Sequence, residues 1–147
     1  TVLGVDISTN LINVANDRVP TNLREKIEFR SGDMLSSEYG KFDYVVAMDS
    51  LIHYCARDIS AALSELAENT INAIVFTVAP KTLLLSSLLT LGKFLPQSNR
   101  SPLIAPVSQY ALNKCLAQIP MFEGKKADVL KRIKASFYVS EALVLKL

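Results

Sequence analysis

Apolar residues fall along this chain in blocks whose period switches repeatedly between that of a strand and that of a helix. Val2-Leu3-Gly4-Val5 is a short apolar run closed by Asp6, the pattern of a buried parallel strand. Ser8 or Thr9 can cap the helix that follows, which runs to about Arg18 with Leu11, Ile12, Val14 and Ala15 on its apolar side. Pro20 and Asn22 break it. Ile27-Glu28-Phe29-Arg30 alternates as a strand and stops at the turn signal Ser31-Gly32-Asp33. Phe42 to Met48 is the next strand, and its run from Tyr44 to Met48 predicts burial. Arg57 to Glu68 reads as a helix with Ile59, Leu63, Leu66 and Ala67 inward. Ala73 to Val78 is another buried strand, closed by Ala79-Pro80.

The order strand, helix, strand, strand, helix, strand predicts an α/β fold on a largely parallel sheet with crossover helices. After Pro80 the character changes. Leu83 to Leu95 is helical in pattern and strongly apolar, and Pro96 to Pro106 is a loop carrying Pro102 and Arg100. Ser108 is expected to cap a helix through about Gln118. Lys125 to Lys134 and Phe137 to Leu147 alternate as two strands, an antiparallel hairpin at the sheet edge. No repeat or linker divides the 147 residues, which read as one domain.

Composition narrows the class. Half the residues are hydrophobic and 20% are charged, which excludes a disordered tail. A formal net charge of +2, with no basic block interleaved with aromatics, argues against nucleic acid as a partner. Lys125, Lys126, Lys131, Arg132 and Lys134 read as a solvated face. Cys55 and Cys115 are not spaced as a metal or redox pair, so two reduced thiols, no metal site and an intracellular setting are expected. The apolar stretch from Thr82 to Leu95 is interrupted by Ser86, Ser87, Thr90, Gly92 and Lys93, too short and too polar to span a bilayer. The chain begins at Thr1 and enters a strand at once, so a fragment with its upstream part missing is expected.

The candidate chemistry sits after the strands. In an open α/β sheet, ligands lie outside the carboxyl ends of the strands. His53, the sole histidine, follows the strand ending near Met48, together with Asp49 and Ser50. Histidine is the side chain best suited to move a proton near neutral pH, and a hydrogen-bonded structural role at a helix start is the alternative. Asp6 can accept both hydroxyls of a ribose, or act as a cap or turn former. Asp33 can accept from an exocyclic adenine amine while Met34 packs on the ring, or can simply complete a Gly-Asp turn. Asp49 can orient a cofactor amine or His53, or cap the next helix.

Two acids after successive strands, with a helix between them, give a layout that resembles the class I S-adenosylmethionine-dependent methyltransferases. The resemblance implies that Asp6, with Ile7 beside it, holds the ribose, that Asp33 and Met34 flank adenine, and that the strand ending at Met48 faces the methyl group. It also places the family's first strand and glycine-rich loop before Thr1. The expected fold is therefore Rossmann-like, mostly parallel with a C-terminal antiparallel hairpin, its first strand and glycine loop missing. These residues would form the C-terminal two-thirds of a single methyltransferase domain. A gap would lie between the strands beginning at Val2 and Phe42, and the 147 residues alone would bind cofactor poorly.

From Asp49 onward the resemblance narrows. Asp49-Ser50-Leu51-Ile52-His53-Tyr54, Phe76-Thr77-Val78-Ala79-Pro80, Gly92-Lys93, Phe94-Leu95-Pro96, Arg100-Ser101-Pro102, Ile104, Pro106-Val107 and Ser136-Phe137-Tyr138-Val139-Ser140 are similar, in order, to the magnesium-protoporphyrin IX methyltransferases. That similarity implies methylation of a porphyrin propionate in chlorophyll or bacteriochlorophyll synthesis, with S-adenosylmethionine as cofactor and magnesium-protoporphyrin IX as substrate. His53 would hold the propionate or act as base, Arg100 would contact the porphyrin, and Tyr54 would do the same or simply pack in the core. Leu83, Leu84, Leu88, Leu91 and Leu95 would form an apolar wall beside Lys93; a core helix and a membrane-touching surface helix are the other readings of that stretch. Magnesium chelatase is an implied partner, and a bacterial cytoplasm or a plastid the implied setting. Two other readings stay open: a methyltransferase for another carboxylate or small metabolite, and a nucleotide-binding module without catalysis.

Overall fold

The computed structural model describes residues 1–81, 104–135 and 138–147. The chain divides into two compact units, Thr1–Gly40 and Lys41–Leu147. The expectations for Leu83–Leu95, Lys93, Arg100 and most of the proline-rich loop lie outside the described residues.

The first unit holds β1 (Val2–Asp6), α1 (Thr9–Arg18) and β2 (Ile27–Ser31). β1 and β2 pair in parallel, Val2 opposite Ile27 through Asp6 opposite Ser31. Gly4 faces Phe29, whose ring lies so close that a side chain at Gly4 would collide with it. Ser8 caps α1 as expected, its hydroxyl accepting from the Leu11 amide at 3.3 Å. Burial is thinner than the apolar pattern predicts. Val2 is 61% exposed, Leu11 and Val14 are exposed too, and Ile12 is the buried residue of α1. Two strands and one helix offer little surface against which a whole apolar stripe can be covered.

The second unit holds β3 (Phe42–Ala47), α2 (Ala56–Glu68), β4 (Thr70–Val78), α3 (Gln109–Leu116), β5 (Ala127–Ala135) and β6 (Tyr138–Lys146). Its sheet runs β3-β4-β6-β5, with β3 and β4 parallel and the last two joints antiparallel. The expected hairpin is present at the sheet edge. α2 buries Ile59, Leu63, Leu66 and Ala67, the four residues its spacing points inward. It packs on β4 and α3. Ile74, Phe76 and Val78 of β4 lie opposite Leu145, Leu143 and Glu141 of β6, and all six are buried. Leu112 and Leu116 of α3 and Phe122 complete this core, each fully inaccessible. The Asn113 side chain fastens α3 to the start of β5, accepting from the Ala127 amide at 2.8 Å and donating to the Ala127 carbonyl at 3.2 Å.

Two expectations fail in this unit. Tyr44, Val46 and Met48 are 63–69% exposed, so the run from Tyr44 to Met48 is not buried. β3 is the outer strand of this sheet among the described residues, and side chains alternate between faces. Val45 and Ala47 are on the face shared with Ile74 and Phe76 and are drawn in, while their neighbours point the other way. Arg132 is also more than part of a solvated face: its guanidinium Nε donates to Glu141 Oε1 at 2.6 Å, and Nη2 meets the same oxygen. Glu141 is 5% exposed, so the ion pair carries a buried carboxylate.

Candidate functional site

In the first unit the carboxyl ends of β1 and β2 lie side by side. The Gly32 amide donates to the Asp6 carbonyl at 3.0 Å, which brings Asp33 to the turn next to Asp6. Asp6 Oδ1 accepts from the Ser8 amide at 2.7 Å and shapes the turn into α1. Asp33 Oδ1 accepts from the Leu35 amide at 3.0 Å. The Tyr39 hydroxyl occupies the space a side chain on Gly32 would need, so a larger residue beside Asp33 would have to displace that ring. Both acids are therefore turn formers. A carboxylate has two oxygens and about four lone pairs, so this use leaves each able to accept from a ribose or an adenine amine. Ile7 is 85% exposed and Met34 half-buried, placing an apolar side chain beside each acid. The set offers two hydrogen-bond acceptors and two apolar side chains.

In the second unit the carboxyl ends of β3 and β4 carry the remaining candidates. Asp49 has left-handed backbone, φ 54°, a region aspartate tolerates better than most side chains. Its amide donates to Thr77 Oγ1 at 2.7 Å, and the same hydroxyl donates to Asp49 Oδ1 at 3.0 Å. Cys55, not Asp49, is the N-cap of α2. The capping alternative for Asp49 therefore does not hold.

The loop from Asp49 to Cys55 is held below by Leu51, which is fully buried, and closed by a turn in which the Tyr54 amide donates to the Leu51 carbonyl at 3.1 Å. His53 is exposed and precedes the first residue of α2, so it sits on the turn and not in the helix. Tyr54 is 41% exposed and does not pack in the core.

Three separated stretches of sequence meet here. The Ala105 amide donates to the Ile52 carbonyl at 2.9 Å, and the Val107 amide to the Ala79 carbonyl at 2.9 Å. Pro80 and Val107 form a parallel bridge. The His53 loop, the end of β4 and Ile104–Val107 thus line one rim. β6 begins at the same rim, since Glu141 is opposite Val78. Sequence reasoning missed Thr77 and Glu141; the signal in each case is a polar residue flanking a strand's apolar run.

Comparison with known proteins matches these elements. The family described as magnesium-protoporphyrin IX methyltransferase C-terminus matches residues 47–146, and a general methyltransferase domain family matches residues 1–70. The magnesium-protoporphyrin O-methyltransferase of Rhodobacter capsulatus is 49% identical over 142 residues, covering 97% of this chain and 60% of the relative. The enzyme of that name from Synechocystis is 32% identical over 102 residues, 68% of this chain and 44% of the relative. Among solved structures, a Synechocystis magnesium protoporphyrin IX methyltransferase with bound SAH superposes with a TM-score of 0.73 at 25% identity, over 98% of this chain and 63% of that one. The chain thus spans 60% or less of the length of these two curated relatives. Its fold is the Rossmann-like α/β fold of the class I methyltransferases, and the chain belongs to the magnesium-protoporphyrin IX methyltransferase family.

Proposed function

We propose that this protein transfers a methyl group from S-adenosylmethionine to a propionate carboxylate of magnesium-protoporphyrin IX, giving the methyl ester. The observation that carries this reading is 49% identity to a magnesium-protoporphyrin O-methyltransferase across 97% of the chain. Both units are assigned to one methyltransferase domain. Asp6 takes the ribose hydroxyls with Ile7 beside it, Asp33 and Met34 take the adenine, and Asp49 takes the cofactor's amine end.

The chemistry suits so sparse a set of groups. A propionate is already ionised at neutral pH. When bound, S-adenosylmethionine supplies an electrophilic methyl that passes to a carboxylate oxygen and leaves the thioether behind. The protein's task is to align the two reactants and exclude water rather than to supply a strong base. His53, exposed on its turn, holds the propionate and takes its proton if the acid arrives neutral; Tyr54 lies against the macrocycle, and Arg100 pairs a carboxylate. Magnesium chelatase, whose product is this substrate, is the partner this reading assigns.

His53→Ala tests the assignment. Ester formation should fall by roughly a hundredfold, the scale of a lost positioning contact on a reacting group, while the calorimetric affinity for S-adenosylmethionine stays near wild type. Unchanged ester formation in His53→Ala would make the histidine structural.

A further inference from the structure

We propose that Thr77 is a positioning residue, holding Asp49 in its left-handed conformation and setting the direction of its carboxylate at the rim of the sheet. The inference rests on the reading above, in which Asp49 takes the cofactor's amine end.

The geometry is specific. The β3–β4 ladder stops at Ala47 opposite Phe76, so the next residues of β3 have no ladder bond to fix them. Instead the chain turns at Asp49, whose φ is 54°, and its amide is directed at the neighbouring strand. There the Thr77 hydroxyl accepts from that amide at 2.7 Å and donates to Asp49 Oδ1 at 3.0 Å. One oxygen atom therefore uses its lone pair to hold the backbone and its proton to hold the side chain. Of the small residues that fit a strand, only threonine and serine can do both.

Backbone held in a sparsely populated region persists where the surroundings over-determine it, and such positions cluster at functional sites. Thr77 is well placed to over-determine this one. It belongs to a strand anchored on either side by the buried Phe76 and Val78, so its hydroxyl is a fixed point. Leu51 and the Ile52–Ala105 bond hold the later part of the loop independently. Loss of the Thr77 hydroxyl should therefore appear in cofactor affinity before it appears in turnover.

The test compares Thr77→Val, which keeps shape and removes the hydroxyl, with Thr77→Ser, which keeps the hydroxyl, in the protein carrying this sequence. Thr77→Val should raise KM for S-adenosylmethionine roughly tenfold, the scale of a lost hydrogen bond to a charged group, with kcat changed much less. Thr77→Ser should restore the wild-type value. In an Asp49→Asn background, Thr77→Val should add little, because both act through one carboxylate. Amide hydrogen exchange at Asp49 gives a readout independent of substrate: it should accelerate in Thr77→Val and not in Thr77→Ser. Wild-type KM together with wild-type Asp49 exchange in Thr77→Val would overturn the proposal, as would losses that simply multiply in the double variant. A wild-type protein that leaves the porphyrin unmethylated would instead overturn the assigned reaction, and the exchange measurement would still decide the role of Thr77.

Discussion

At the scale of single residues, the polar positions inside apolar strands are the ones that shape this structure most. Thr77 is one and Glu141 another. Glu141 lies opposite Val78 on β4 and Arg132 on β5. Its carboxylate is buried, while Arg132 is about half exposed. Removing one partner of a buried pair leaves a charge without compensation, whereas replacing both with apolar groups removes the problem. Arg132→Met should therefore lower stability by about 1–3 kcal/mol in urea unfolding, the cost of stripping a buried acceptor of its donor. Arg132→Met combined with Glu141→Leu should recover most of that loss. A single variant as stable as wild type would show that Glu141 is satisfied in another way.

At the scale of elements, the two units differ sharply in how much they bury. α2 and β4 carry buried residues along their whole length, with β6 packed beside them. α1 contributes Ile12 to its core, and β1 and β2 have no fully buried residue. Regions with few buried apolar contacts open at lower free energy than core strands. Amides of β1 and β2 should thus exchange with solvent well before those of β4 and β6 in native-state hydrogen exchange. Equal protection across all four strands would contradict this ranking.

The same contrast explains what could be read in advance. α2 was legible because Ile59, Leu63, Leu66 and Ala67 recur at one helical face, and all four are buried, with Ser60 and Ala62 buried beside them. The cap at Ser8 and the cap at Ser108 were legible because a hydroxyl precedes each apolar periodic run. The exposure of Tyr44, Val46 and Met48 was not, because an apolar run does not say which of its two faces a neighbour will cover. Asp6 and Asp33 were legible as strand-end acids but not as the formers of their own turns. The Asp49–Thr77 clasp joins residues separated by the whole of α2, and no local pattern announces such a contact.

At the scale of the whole molecule, the described strands form two sheets, β1-β2 and β3-β4-β6-β5, and the candidate residues divide between them. Asp6 and Asp33 stand at the strand ends of one; Asp49, Thr77, His53 and Tyr54 stand at the strand ends of the other. Every one follows the carboxyl end of a parallel strand or belongs to it, where an open α/β sheet binds its ligands. No helix among the described residues is long and apolar enough to cross a membrane.

The claim that joins these parts is methyl transfer to a porphyrin carboxylate. It is tested most directly by incubating the protein carrying this sequence with methyl-labelled S-adenosylmethionine and magnesium-protoporphyrin IX, then locating the label. Label in a porphyrin methyl ester, released by mild alkaline hydrolysis, is the predicted result. A porphyrin without label, from a protein that still binds the cofactor, would contradict it.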